Sequence, residues 1–234
     1  NERFHSNVDR AATSISSRTG RSFEEVRNEV SNMFVAGMEA TASMLTWALY
    51  VLVEDPALQE SLREDLRAGG PQSDVQLESF LNEVMRMYPS GYMFNREVGS
   101  EFEYEGYRIK KGTQIFVAPY RIHRNPALFE EPETFRKDRF IDFRSKAHMP
   151  FGVGPRFCVG SKFAMLAGKR IIQEILTQYR VHKAYEGDVK LLSMISLTPG
   201  DQVVCEFEAL ADAKPMNQPS RCPMTGASHD AGSQ

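Results

Sequence analysis

The sequence predicts a mostly helical α+β fold with a small β-sheet, and three observations carry that expectation. Residues 23–54 hold apolar side chains at three-and-four spacing over an unusually long run. After Pro89 the pattern changes to short β-like runs separated by Glu105-Gly106 and Lys111-Gly112. A further apolar helical pattern then follows a glycine-rich stretch that ends at Cys158-Val159-Gly160.

Ser22-Phe23-Glu24-Glu25 reads as a capping box, with Ser22 at the N-cap and Glu25 at N3, and it opens the long helix that runs to Glu54. Val26, Val30, Met33, Phe34, Gly37, Thr41, Met44, Leu45, Ala48 and Leu52 keep the spacing, while Val35, Ala36, Ala42, Trp47 and Leu49 widen the apolar surface beyond one stripe. At about 1.5 Å per residue the helix spans on the order of 45 Å, and its breadth of apolar surface predicts burial inside the protein. Asp55-Pro56 reads as a fresh N-cap and N1 for a shorter helix that stops at Gly69-Gly70. Another helix is expected over 75–87, ending before Pro89, and strands over 95–98, 101–104, 107–109 and 113–118. Residues 121–149, rich in Pro, charge and single aromatics, read as a meandering loop with short helices. From Ser161 to about Tyr179, Phe163, Leu166, Ala167, Ile171, Ile175 and Leu176 make the helix behind the cysteine, and weak strands over 190–196 and 202–208 close the fold. Residues 211–234 are small and polar and are expected to be disordered, with Cys222-Pro223 incidental.

The 234 residues, 41% hydrophobic, suffice for one sizeable core or for two packed lobes. A formal charge of −3 and the lack of a long Lys/Arg run argue against nucleic-acid binding. Three scattered cysteines imply no disulfide framework and a reducing compartment. No run of eighteen or more apolar residues exists and Asn1-Glu2-Arg3-Phe4-His5 is not a signal peptide, so no membrane segment is expected in this chain.

The run Pro150-Phe151-Gly152-Val153-Gly154-Pro155-Arg156-Phe157-Cys158-Val159-Gly160 places one cysteine in a glycine-rich bend directly before an apolar helix. Gly152, Gly154 and Gly160 allow a tight turn and close approach to a flat ligand, Phe151 can shield the sulfur, and Arg156 can reach an acidic edge of that ligand. A thiolate near amide N–H groups and a helix N-terminus is stabilised as the anion, the form that binds iron and feeds it electron density. The plain alternative is a small buried apolar cysteine without chemistry. A phosphate loop fails because Phe157 fills the sixth position of any G-x-G-x-x-G starting at Gly152 and no Gly-Lys-Ser/Thr follows. Zinc fails because Cys205 and Cys222 are distant, no C-x-x-C exists, and His5, His123, His148, His182 and His229 lack ligand spacing.

Phe151-x-x-Gly154-x-Arg156-x-Cys158-x-Gly160 resembles, at every fixed position, the cysteine-ligand loop of the cytochrome P-450 family. The resemblance implies haem b with Cys158 as axial ligand of the iron, a role for which this family is the standard example. It places Ala36, Gly37, Pro150, Phe151, Gly152, Phe157, Val159, Gly160 and Ala164 against the haem, and the guanidiniums of Arg96 and Arg156 on its propionates, a solvated strand arginine being the plain alternative for Arg96. Gly91, Tyr92, Met93 and Phe94 would face an apolar substrate pocket, although each could equally belong to the core. Glu83, Arg86 and Arg139 would form a buried structural charge network, with Lys137 and Asp138 departing from the family's usual Pro-Glu. Glu24/Arg27, Glu60/Arg63, Glu64/Arg67 and Glu133/Arg136 share the Glu83/Arg86 spacing, and exposed ion pairs are the default reading for them.

Ala36-Gly37-Met38-Glu39-Ala40-Thr41 resembles the family's oxygen-binding groove. Gly37 costs about 1 kcal/mol relative to alanine inside a helix, consistent with a ligand passing close. Glu39 takes the usual acid position, but Ala40 stands where the family has a threonine that organises proton delivery, and Thr41 lies about 100° around the helix. The implied activity is a monooxygenase that activates dioxygen with electrons from a ferredoxin or flavoprotein reductase and hydroxylates a small apolar organic substrate. A peroxide-driven hydroxylase or a hydroperoxide isomerase or dehydratase is the alternative, and an inactive haem-binding fragment the second. Proteins of the family are about twice as long, so residues 1–210 resemble the C-terminal half of one haem-thiolate domain. The absence of a visible anchor fits a soluble bacterial type in the cytoplasm. Lys146, Lys162 and Lys169 could meet an acidic electron donor or be solvated charges.

Overall fold

The computed structural model describes residues 2–211, so residues 212–234 of the expected tail, and Cys222 with them, lie outside the described residues. Seven helices are present among those residues: α1 (Glu2–Thr19), α2 (Phe23–Glu54), α3 (Pro56–Ala68), α4 (Gly70–Met87), the short α5 (Pro119–Ile122) and α6 (Arg139–Asp142), and α7 (Ser161–Gln178). Both anticipated caps are formed. Ser22 Oγ accepts from the Glu25 N–H at 3.3 Å, and Asp55 Oδ1 accepts from the Leu58 N–H at 2.9 Å with Pro56 in the first turn. Helix α4 begins at Gly70 rather than at 75, because Gly69 alone breaks the chain and Pro71 starts the next helix at once.

The core forms where α2, α3, α4 and α7 meet, with Trp47, Leu52, Leu62, Leu77, Phe80, Leu81, Ile172 and Leu176 all sealed from solvent. Gly168 lets α7 come this close: a Cβ there would lie 2.6 Å from Met44 Cε and 3.2 Å from Leu81 Cδ1. The C-terminus of α7 is closed by side chains of α3. Arg63, 1% exposed, donates through Nε to the Leu176 carbonyl at 2.9 Å and through Nη2 to the Tyr179 carbonyl at 3.0 Å. Arg63 also touches Glu60, but it is buried rather than one of the exposed pairs expected at that spacing. Arg27 pairs with Asp9 of α1 at 2.8 Å, and Arg136 with Glu130 at 3.6 Å, in place of the expected i,i+3 partners.

Helix α2 is buried along only part of its length, contrary to the sequence expectation. Trp47, Ala48, Val51, Leu52 and Val53 lie in the core, and Val26 and Val30 meet Val8 and Ala12 of α1, whereas Met33, Val35 and Met38 are 67%, 48% and 66% exposed. Among the described residues α2 is also the one helix long and apolar enough to cross a membrane, with mean hydropathy 1.2. Its C-terminal part is nevertheless the centre of the helical core.

Among the described residues the β structure is four separate antiparallel pairs rather than one small sheet. β1 (Phe94–Glu97) pairs with β4 (Gln114–Val117), placing Arg96 opposite Ile115, and β2 (Phe102–Tyr104) forms a hairpin with β3 (Tyr107–Ile109). β5 (Tyr179–Lys183), where the sequence pattern shows no break from the helix, pairs with β8 (Cys205–Ala209). The expected strand over 190–196 is instead the first arm and tip of a hairpin of β6 (Leu192–Ser193) and β7 (Leu197–Thr198), and the one expected over 202–208 is shifted to β8.

Candidate active site

Cys158 sits at the end of a loop built by two glycines with left-handed backbone, Gly152 at φ 73° and Gly154 at φ 72°. Gly154–Arg156 forms a single 3-10 turn, closed by the Phe157 N–H on the Gly154 carbonyl at 3.0 Å. The Cys158 N–H donates to the Phe151 carbonyl at 3.0 Å, which folds the loop back on itself, and the thiol is exposed and free among the described residues. Gly160 differs from the turn glycine expected, since its φ is −85°. A Cβ there would make only an ordinary van der Waals contact with Cys158 Sγ, at 3.9 Å. Gly160 is the N-cap of α7, and Ala164 closes the first turn by donating to its carbonyl at 2.8 Å. Phe157, Val159, Phe163 and Leu166 are 53%, 92%, 73% and 65% exposed, an apolar surface around the thiol. Two hollows, one lined by Arg63 and one by His148, hold no residue of the cysteine loop.

The other expected residues are joined to this loop by a run of contacts. A Cβ at Gly91 would sit 3.8 Å from the Pro150 carbonyl, where the loop begins. Next to it, Ser90 Oγ donates to the Ala40 carbonyl of α2 at 2.9 Å. Glu39 accepts from Ser196 Oγ at 2.9 Å, while Ala36, Gly37 and Ala40 are exposed and Thr41 is half-buried. Nothing lies within 4 Å of a Cβ built on Gly37. Tyr92 is not a free pocket wall, because its hydroxyl donates to the Met194 carbonyl at 3.2 Å; Met93 is exposed, and the Phe94 ring lies 4.9 Å below the Arg96 guanidinium. Arg96 otherwise donates only to its neighbour's carbonyl, at Asn95, and Arg156 has no protein partner among the described residues. Lys169 is committed to Asp74 and Glu78 at 2.9 and 3.1 Å, unlike the exposed Lys146 and Lys162.

Beneath the loop, Glu83, Arg86 and Arg139 converge and are all buried. Arg86 Nε and Nη2 donate to the two Glu83 oxygens at 2.8 and 2.9 Å, and Arg139 Nε bridges both at 3.0 Å. The remaining guanidinium hydrogens serve the carbonyls of His123, Glu130, Glu131, Pro132 and Thr134. His123, which sequence reasoning weighed only as a metal ligand, links this network to the loop. Its Nε2 accepts from the Met149 N–H at 3.0 Å, so Nδ1 carries the proton and donates to the Arg86 carbonyl at 3.2 Å. Ser90, Ser196 and His123 were all missed as site residues, and only His123, alone between apolar residues and Arg124, left a trace in the sequence.

The pattern describing cytochrome P450 matches residues 4–204. The chain belongs to the cytochrome P450 family. Mouse (Mus musculus) cytochrome P450 4V2 is 35% identical over 174 residues, covering 68% of this chain and 33% of its own length. Human (Homo sapiens) mitochondrial sterol 26-hydroxylase is 30% identical over 203 residues, 78% of this chain and 38% of its own. Cyclooctatin synthase of Streptomyces melanosporofaciens is 31% identical over 191 residues, 76% of this chain and 42% of its own. The chain thus spans about a third to two fifths of the curated P450 relatives it matches, and they come from animals and a bacterium, without favouring a bacterial type or one compartment. The P450 family is one of haem-dependent oxidoreductases, and the residues present fit the group. Among the described residues they supply an exposed free thiol, a helix face left bare at Gly37, and two arginines without carboxylate partners.

Proposed function

We propose that this chain supplies the haem-thiolate half of a P450 monooxygenase that hydroxylates a small apolar organic molecule, with electrons from a ferredoxin or flavoprotein reductase. The observation that carries this reading is Cys158, unpaired and exposed in its double left-handed loop. Cys158 Sγ would ligate the iron of haem b, and Arg96 and Arg156 would bind its propionates in bidentate fashion. The bound haem supplies the activation of dioxygen. The bare backbone at Gly37 lets α2 lie against a flat ligand, and Glu39 would hold and pass protons at its carboxylate. The exposed Lys146 and Lys162 offer contacts to an acidic electron donor. Residues 1–210 would form part of a single haem domain, working in the cytoplasm.

The reduced, carbon monoxide-bound haem protein should show the strongly red-shifted main band of thiolate ligation, and Cys158→Ser should abolish it. Retention of that band in the serine variant would refute the assignment of the ligand. Ala40 leaves no hydroxyl beside Glu39 on α2, so Ala40→Thr should raise product per electron by about fivefold, the worth of one hydrogen bond. Unchanged or lower coupling would count against the proton role.

The same alanine favours a second reading, a peroxide-driven hydroxylase or a hydroperoxide isomerase or dehydratase. Turnover with hydroperoxide and no reductant selects it, and strict dependence on reductant and oxygen excludes it.

A further inference from the structure

We propose that Ser196 is a positioning residue for Glu39, holding the acid of α2 from the β6–β7 hairpin; the role rests on the function proposed above. Ser196 Oγ donates to Glu39 Oε1 at 2.9 Å across 157 positions of sequence. The serine is 4% exposed, while the glutamate is half-buried and its Oε2 has no protein partner among the described residues. One oxygen of the carboxylate is therefore fixed and the other is available. A hydrogen bond to a carboxylate is charge-assisted, and it restricts a side chain that would otherwise sample many rotamers.

The hairpin that carries this hydroxyl is itself locked. The Leu197 carbonyl, next in sequence, accepts from both Ser43 Oγ at 2.6 Å and Trp47 Nε1 at 2.8 Å. The Leu197 N–H donates to the Ser90 carbonyl at 3.0 Å, and on the other side of Ser196 the Met194 carbonyl accepts from Tyr92. Ser90 completes the arrangement through its bond to the Ala40 carbonyl, so the backbone directly after Glu39 is also held from outside its helix. A proton-transferring group must lie within about 2.6–3.2 Å of its partner, or one water away. Rigid support from elements far apart in sequence is what such a group requires.

The test compares Ser196→Ala, Ser196→Thr, Glu39→Gln and the Ser196→Ala/Glu39→Gln double variant. In the chain labelled at glutamate, the carbon-13 resonance of the Glu39 carboxylate should move in Ser196→Ala and return in Ser196→Thr. In the haem-loaded protein, Ser196→Ala should lower product per electron about tenfold, and the double variant should be no worse than Glu39→Gln. The carbon monoxide band should be the same in all four. A Glu39 resonance unmoved by Ser196→Ala overturns the proposal, as does a Ser196→Ala loss that multiplies with that of Glu39→Gln. A parent protein without the thiolate band overturns the proposed function instead, while the carboxylate resonance still reads the bond itself.

Discussion

Glu83→Ala should lower the unfolding free energy by about 3–5 kcal/mol, a large share of the roughly 5–15 kcal/mol that a domain possesses. The substitution removes the one negative charge between two buried guanidiniums and leaves Arg86 and Arg139, 0% and 7% exposed, facing each other. It also orphans the Arg136 N–H, which donates to Glu83 Oε1 at 3.0 Å. Loss should begin at the junction of α4 with the loop that follows α5, so amides over 130–140 should lose hydrogen-exchange protection before those of α3. An unfolding free energy within about 1 kcal/mol of the parent would show that water or rearrangement compensates the lost carboxylate and that the network does not hold this region together. An apolar replacement of all three residues is a different experiment, because well-packed apolar groups can equal a buried ion pair.

Acid should lower the stability of the chain from well above the range where carboxylates titrate. Burial, reinforced by the charges of Arg86 and Arg124, pushes His123 down to about 4, and burial followed by the neighbouring His123 pushes His148 down to about 3. The two rings lie 5.3 Å apart, and His148 packs 4.2 Å from Phe140. Unfolded histidines take up protons near pH 6.5, so between that value and the depressed ones the unfolded chain binds more protons than the folded chain. The contribution is complete above pH 6.5 and is lost as the pH falls toward 4 for His123 and 3 for His148, amounting to about 3 kcal/mol for His123. A proton on His123 Nε2 would also confront the Met149 N–H at the loop's entrance. Denaturant titrations at pH 7.5, 6 and 5 should therefore show falling stability, and His148→Phe should flatten the slope; equal stability at all three values would contradict the buried neutral pair.

Much of the fold was legible because its signals are local. Ser22 and Asp55 act through bonds to residues three positions away, and Pro56 and Gly69 punctuate the chain where they stand. Helix α1 was missed although Val8, Ala11, Ala12 and Ile15 keep helical spacing, because its many Ser and Thr residues have modest propensity and its stability comes from packing on α2. Strand β5 was hidden because it follows α7 with no Gly or Pro between them, and its partner β8 lies far along the chain. Burial of α2 was overestimated for a related reason, since periodicity reports an apolar face and not what covers it. At the site, the loop motif pointed to Cys158 as the candidate ligand, and the spacing of Glu83 and Arg86 became informative only through Arg139. Ser196 had no local signal at all, since its partner Glu39 lies on another element.

The loop from His123 to Thr134 has few ladder bonds of its own, and five of its carbonyls are satisfied by the guanidiniums of Arg86 and Arg139. Those bonds recognise main-chain oxygens, which every amino acid carries. Side chains in this segment can consequently drift over evolution with little penalty, whereas a one-residue insertion or deletion would pull the oxygens out of register with two immovable forks. Contour length, more than composition, is the inherited quantity there.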